Sequence, residues 1–330
     1  RPGMGVGVRL PGPAARTVSP YEWGVAFAPT YAAREAEIRL ERGASLGGGP
    51  PLLTGTSAVL KLVALDPTGT PRDEMEVVTH RFEHPFGGAL GGTVAVDPGV
   101  RAPDTAVRLI SWNGERGALF SRPRHFARVL AAARSDVVAF QELTDQQSAE
   151  SVAAWLNTNV PGEANGRPWT AVFGAGGGNL RTAVTSRFPM RPVEGFDRLV
   201  YTDDRGRQRD VRAAFAHIQV EGRTLLVVSI HLKCCGSAGS GEDFVRADQV
   251  EAIRGAVATL VRRDGVDGVV VCGDFNLVGS RAILDRMTEG LGAAGGDGKV
   301  AVAPQLDGRS LATWADPKQP FTPGQLDFVV

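Results

Sequence analysis

The chain has 330 residues, enough for two domains of ordinary size. Its 36 Lys and Arg balance 36 Asp and Glu, which excludes a polycationic nucleic-acid coat and an acidic disordered chain. Hydrophobic residues at 43% supply a sizeable core, no apolar run approaches the roughly 18 residues of a membrane span, and three cysteines exclude a disulfide scaffold.

Residues 1–104 are punctuated by Gly and Pro and follow period-two patterns. Stretches 57–65 and 74–82 read as paired strands around a turn at 66–71, whose Asp-Pro-Thr-Gly-Thr-Pro composition favours reversal. Residues 23–28 and 35–41 read as further strands, although 32–41 also suits a short helix. This part is expected to be a β-rich, sandwich-like accessory module. The Pro- and Gly-containing stretch 97–104 is expected to link it to the remainder of the chain. Nothing in its residues names a ligand.

Strands and helices alternate from residue 105 onward. An apolar strand is expected over 107–112, then a helix capped by Ser121 with Pro123 in its first turn and Phe126, Leu130 and Ala133 on one face. A strand over 136–140 precedes a helix with Val152, Trp155 and Leu156 facing inward. Strands come next at 169–173 and 181–186. Residues 198–212 hold five Arg against three Asp and read as a solvated loop. A hairpin pairs 212–220 with 224–230 around Glu221-Gly222-Arg223. Phe244, Ala247, Val250, Ile253, Val257 and Leu260 keep a helical period. A buried strand covers 268–272, a short helix about 281–289, and a last strand begins near Leu326. The Gly-rich stretch 174–179 has no following Gly-Lys-Ser/Thr and reads as a plain loop.

Four of these strands end in polar residues able to handle a metal or a phosphate: Asn113, Gln141-Glu142, His231 and Asp274-Phe275-Asn276. Taken singly, each has a plain reading. Asn113 before Gly114 is a turn residue, Glu142 a surface acid, His231 a solvated histidine, and Asp274-Phe275-Asn276 an Asx-type turn. Taken together they are an oxygen-rich set at strand ends, where layered α/β folds collect their chemistry. Such a set suits a hard cation that keeps some of its waters, with His and Asp beside an activated water.

In these motifs and their order, residues 105–330 resemble the endonuclease/exonuclease/phosphatase superfamily, which includes deoxyribonuclease I-like enzymes. Ser111-Trp112-Asn113, Phe140-Gln141-Glu142, Ser186-Arg187-Phe188-Pro189, Ser229-Ile230-His231, Arg246-Ala247-Asp248-Gln249 and Gly273-Asp274-Phe275-Asn276 carry the likeness, and Leu326-Asp327-Phe328 is similar to the family's last acidic strand. The resemblance implies a four-layer αββα sandwich, an α/β (α+β) fold, preceded by the β-rich module. It implies a metal-dependent phosphodiester hydrolase using Mg²⁺ or Mn²⁺, with nucleic acid as the expected substrate. Phospholipid or inositol phosphate esters, or a catalytically silent binding role, are the alternatives. Glu142 would ligate the metal with Asn113 beside it. Asp274 and Asn276 would position the attacking water and the scissile phosphate. His231 would donate to a phosphate oxygen or protonate the leaving group, and Asp327 would orient the family's last catalytic His. Arg187 and Arg212 are candidates for contacting substrate phosphates, though Arg212 at the start of a strand also reads as structural.

The sequence opens at Arg1 without an initiator Met or signal peptide and stops at Val330 inside a predicted strand, before any terminal Asp-His pair. It therefore reads as a fragment, and as such is expected to be inactive or impaired. Cys234-Cys235 and the appended β module lean towards secretion or the cell envelope. The two thiols can also stiffen the loop after His231, whereas Cys272 reads as a small buried hydrophobe.

Overall fold

The computed structural model describes residues 105–160, 166–237, 239–278, 281–292, 295–301, 312–314 and 324–330, together with Thr70 and the backbone of eight strands before residue 87. The chain divides into two compact units. One comprises residues 1–29, 35–96 and 304–324, the other 30–34, 97–303 and 325–330. The expected linker 97–104 and residues 66–69 of the expected turn lie outside the described residues.

In the first unit β1 (Val8–Arg9) pairs with β2 (Thr17–Val18), and β3 (Val25–Pro29) with β4 (Ala36–Leu40), so 36–40 is strand rather than helix. The stretches 57–65 and 74–82, expected as two long strands, contribute to four. β5 (Gly55–Leu60) pairs with β8 (Val78–Phe86), and β6 (Val63–Leu65) pairs with β7 (Pro71–Glu74) nested between them. All four ribbons are antiparallel.

The second unit is built on two sheets. β9 (Leu109–Asn113), β10 (Val137–Thr144), β11 (Thr170–Phe173) and β12 (Leu180–Ser186) form the first, in the order β11-β12-β10-β9. β13 (Met190–Pro192), β14 (Leu199–Thr202), β15 (Gln208–Val220), β16 (Arg223–His231), β17 (Gly268–Asp274) and β18 (Asp327–Val329) form the second. Its order is β13-β15-β16-β17-β18, with β14 also on β15. β9 runs parallel to β10, and β16 parallel to β17; β12, β15 and β18 run antiparallel to their partners.

The side-chain period of two explains why the sheets stack. On β15, Val211, Ala213 and Phe215 join the helix-side core, whereas Ala214, Ala216, Ile218 and Val220 join the core between the sheets. On β16, Leu226, Val228 and Ile230 face the helices while Val227 faces the other sheet. β10 sends Val138 and Phe140 to its own helix side and Val137 inward. Three cores between four layers are thus written in the alternation, and the unit is the αββα sandwich that the motifs implied.

α1 (Ala118–Ser121), α2 (Pro123–Ala133) and α3 (Ala149–Asn159) contribute to the outer core of the first sheet; α4 (Gly241–Asp264) and α5 (Ala282–Thr288) cover the second. α3 opens with a capping box in which Ser148 and Ser151 exchange side-chain and backbone bonds. α4 starts on Ser240 and stops at Gly265 in the left-handed region, with Arg262 and Arg263 in its last turn. Ser121 does not cap α2. Its hydroxyl donates to the Ala118 carbonyl and ends α1, so Arg122 precedes Pro123 at the helix start. The β15–β16 hairpin turns on two residues, Glu221 (φ 49°) and Gly222 (φ 80°), the positive-φ pair that matches strand twist. The stretch 198–212 is not a loop throughout: β14 pairs with the start of β15, and Arg198–Asp210 and Arg207–Asp203 ion pairs flank the ribbon. Among the described residues no helix is long and apolar enough to cross a membrane.

Candidate active site

Strand direction decides which residues meet. β9, β10, β16 and β17 all end at one edge of the sandwich, and they deliver Asn113, Glu142, His231 and Asp274 there. β18 runs antiparallel to β17, so its first residue, Asp327, pairs with Asp274 at that same edge. β15 runs antiparallel to β16, so Arg212 near its start pairs with His231.

Glu142 leaves the regular strand. The β10–β12 register shifts between Phe140 and Leu143, and Glu142 takes φ 56°, a left-handed conformation rare for a side-chain-bearing residue. Such bulges re-aim side chains at working sites. The loop after β9 clamps the bulge from outside. Glu115 (φ 43°), Arg116 (φ 56°) and Gly117 (φ 71°) are all left-handed. The Arg116 N–H donates to Glu142 Oε2 at 3.2 Å, and the Gly117 N–H to the Glu142 carbonyl at 2.8 Å. Beneath it, Gln141 is fully buried and its Nε2 donates to Ser229 Oγ at 3.0 Å, while Ser229 donates to the Phe140 carbonyl at 2.9 Å. This polar tie links the two sheets directly under the cluster.

The Asn113 amide nitrogen joins two carboxylates, donating to Glu142 Oε1 at 3.1 Å and Asp274 Oδ2 at 3.0 Å. His231 Nε2 stands 3.9 Å from Glu142 Oε1 and 3.8 Å from Asp274 Oδ2, and its Nδ1 is buried with no hydrogen-bond partner. Glu142, His231 and Asp274 offer donor atoms all within 4.8 Å of one another. Two carboxylate oxygens and one imidazole nitrogen, close together yet not bonded to each other, fit a divalent cation.

Burial pushes the Asp274 carboxyl up to about 7, and the charge of Asp327 across the strand pair adds to the rise. Burial pulls the His231 imidazole down to about 4, and the Arg212 guanidinium adds to the fall. Asn276 (φ 49°) makes a tight turn in which its N–H donates to Asp274 Oδ1 at 2.8 Å and its amide nitrogen to the Leu232 carbonyl at 3.1 Å. It braces Asp274 from one side and the end of β16 from the other.

Arg187 is not part of this cluster. β12 runs antiparallel to β10, so the residue after Ser186 emerges beside the start of β10, five residues or about 17 Å from Glu142 at roughly 3.3 Å per residue. There Arg187 is buried, donates to the Val160 carbonyl and stacks its guanidinium 4.5 Å from the Trp169 ring. Burial lowers its pKa, and its role is to lock the sheet to the end of α3.

The Gly-rich stretch does more than turn the chain. A Cβ at Gly174 or Gly176 would collide with the backbone of Ala213 or Val211, and one at Gly177 (φ 105°) with the stem of Arg212. The glycines let this loop lie flat on β15, and the Gly177 carbonyl accepts from Arg212 Nε at 3.3 Å. Their signal in the sequence was the density of glycine, which has no Lys-Ser/Thr to give it a phosphate-loop meaning.

Two facing sheets with a carboxylate–imidazole cluster at one edge define a deoxyribonuclease I-like sandwich with a metal-competent centre. The model of the Endonuclease/Exonuclease/phosphatase family matches residues 110–330, two thirds of the chain, and the protein belongs to that family. No curated protein sequence matches the chain. Among solved structures it is similar to a truncated Caenorhabditis elegans TDP2, with 18% identity over 68% of this chain and 82% of that one and a TM-score of 0.45. It is also similar to a hairpin-deletion mutant of Staphylococcus aureus beta toxin, with 17% identity over 68% and 86% and a TM-score of 0.44. The human Nocturnin catalytic domain gives 16% identity over 68% and 80% and a TM-score of 0.44.

Proposed function

We propose that the protein is a divalent-metal-dependent phosphodiester hydrolase that cuts nucleic acid by attack of water on phosphorus. The observation that carries this reading is the convergence of Glu142, His231 and Asp274 within 4.8 Å, with Arg212 on the strand position paired with His231. Glu142, with Asn113 beside it, holds the cation; bound there, the ion supplies Lewis-acid neutralisation of the phosphoryl oxygens. The carboxylate oxygens of Glu142 suit Mg²⁺ or Mn²⁺. Asp274, held by the Asn113 amide and the Asn276 N–H, is placed to orient the attacking water and take its proton. Asn276 keeps that carboxylate aimed, and Asp327 lies across the strand pair from it. His231 is neutral at physiological pH because its pKa is about 4. It therefore suits hydrogen-bond donation to a phosphate oxygen better than delivery of a proton to the leaving group.

The test is nicking of supercoiled plasmid by the protein, with Mg²⁺ or Mn²⁺ against chelator. Metal-dependent nicking is the expected result. A folded protein that leaves DNA and RNA intact but hydrolyses phospholipid or inositol phosphate esters would overturn the substrate. One that hydrolyses none of these would overturn the catalytic reading.

Arg212 carries a separate prediction. Its Nε is engaged by Gly177, which leaves the remaining fork for a substrate phosphate. Arg212→Lys keeps the charge but cannot serve both partners. We expect kcat/KM to fall on the order of tenfold, mostly through KM, with thermal stability little changed. Unaltered kinetics on a nucleic-acid substrate would remove Arg212 from the site.

A further inference from the structure

Cys234 and Cys235 come three and four residues after His231, at the beginning of the loop that leads into α4. Both are exposed free thiols, while Cys272, the third cysteine, is buried within β17. Their sulfurs lie 2.9 Å apart, with Cys235 Sγ donating to Cys234 Sγ. This closeness has a structural cause. The fully buried Arg246 donates from Nη1 to the Lys233 carbonyl at 2.8 Å and the Cys235 carbonyl at 2.9 Å. Its Nη2 is held by Asp243 Oδ1 at 3.1 Å. Gln249 Oε1, one turn further along α4, accepts from the Lys233 N–H at 2.9 Å. The backbone on both sides of Cys234 is thus pinned to one helix, and Cys235 is held at φ 73°. None of these bonds involves the metal-competent cluster.

We propose that Cys234 and Cys235 are a reversible modification site, an exposed vicinal dithiol that a low-molecular-weight disulfide such as oxidised glutathione converts to a Cys234–Cys235 disulfide. Cys234, which accepts the hydrogen bond, is the attacking sulfur. Cys235, whose thiol pKa is raised chiefly by that hydrogen bond, keeps its proton until the second step. In the first step the Cys234 thiolate bonds to one glutathione sulfur, the glutathione S–S bond breaks, and one glutathione leaves as its thiol. In the second, Cys235 sulfur bonds to Cys234 sulfur, the mixed disulfide breaks, and the second glutathione leaves with the remaining proton. Two protein thiols are oxidised by two electrons and one glutathione disulfide is reduced to two thiols. Adjacent Cα atoms are only about 3.8 Å apart, below the roughly 4.4–6.8 Å of ordinary disulfides, so the product is strained and readily reduced. That makes it a reversible mark rather than a structural staple.

The experiment treats the folded full chain with excess oxidised glutathione and reads intact mass, then counts alkylatable thiols after unfolding. The wild type should lose two hydrogens, retain a single alkylatable thiol at Cys272 and recover both others with reductant. Cys235→Ser should instead gain one glutathionyl group, trapped on Cys234. Cys234→Ser should react at least on the order of tenfold more slowly. The proposal is overturned if the wild type keeps three alkylatable thiols, or if it accumulates a glutathionyl adduct without losing two hydrogens. The wild-type measurement decides this alone, whatever the variants do.

Discussion

Glu142→Gln removes metal-dependent turnover by at least the order of a thousandfold while leaving the metal-free protein no less stable than the wild type. The two halves of this result have one cause. Glu142 and Asp274 are two carboxylates bridged by the single amide nitrogen of Asn113 at 3.1 and 3.0 Å. Glutamine keeps the volume of the side chain but only one oxygen, so it accepts from the Arg116 N–H or from the Asn113 amide, not from both. It also takes one negative charge out of the cluster, and the repulsion removed from the metal-free fold offsets the lost hydrogen bond. The same charge is what a cation needs, because neither the imidazole nor a partly protonated Asp274 can replace it. Thermal melts with and without metal separate the effects. At a hundredfold excess over Kd, metal should stabilise the wild type by about 2.7 kcal/mol and the variant by far less. Full turnover in Glu142→Gln, or equal metal stabilisation in both proteins, would show that the bulge does not hold the cation.

The fold was largely legible because its information is periodic. On β15 odd and even residues are apolar for two different cores, which reads in the sequence as a continuous buried strand beside a Gly-punctuated turn. The site was legible because four strand ends carry polar residues in one order. What the sequence did not convey was strand direction. Arg187 and His231 both come after an apolar strand, and in one dimension they look alike. Only pairing distinguishes them: β12 runs against β10, so Arg187 emerges at the far edge, where a buried guanidinium serves Val160 and Trp169. The same geometry brings in Asp327, which begins its strand instead of ending it. Backbone conformation was also hidden. Nothing in Phe140-Gln141-Glu142 announces a bulge, and the three left-handed residues at 115–117 include a Glu and an Arg, neither a habitual turn former. The pairing within 198–212 was masked by its charges, which lie along a ribbon.

Gly273→Ala is expected to cost about 4 kcal/mol or more, the range reserved for substitutions that break a named constraint. Gly273 carries φ 146°, and it pairs with Ile230 on the parallel strand β16. A Cβ built there overlaps the Ile230 carbonyl oxygen and lies 2.9 Å from both its carbonyl carbon and its nitrogen. These are backbone atoms in the centre of a sheet, so no side-chain rotation relieves the contact. The strands must separate, and the next residue is Asp274. The separation would pull its carboxylate from Asn113 and from the 3.8 Å approach to His231, so activity should fall with stability. Gly265 supplies the control. It also has positive φ, 61° at the end of α4, but nothing lies within 4 Å of its would-be Cβ. Gly265→Ala should cost only about 1 kcal/mol, the ordinary strain of a left-handed residue. Urea unfolding of the two variants measures the difference. If Gly273→Ala proved no worse than Gly265→Ala, the close parallel pairing of β16 and β17 would be wrong, and with it the mechanism that brings His231 and Asp274 together.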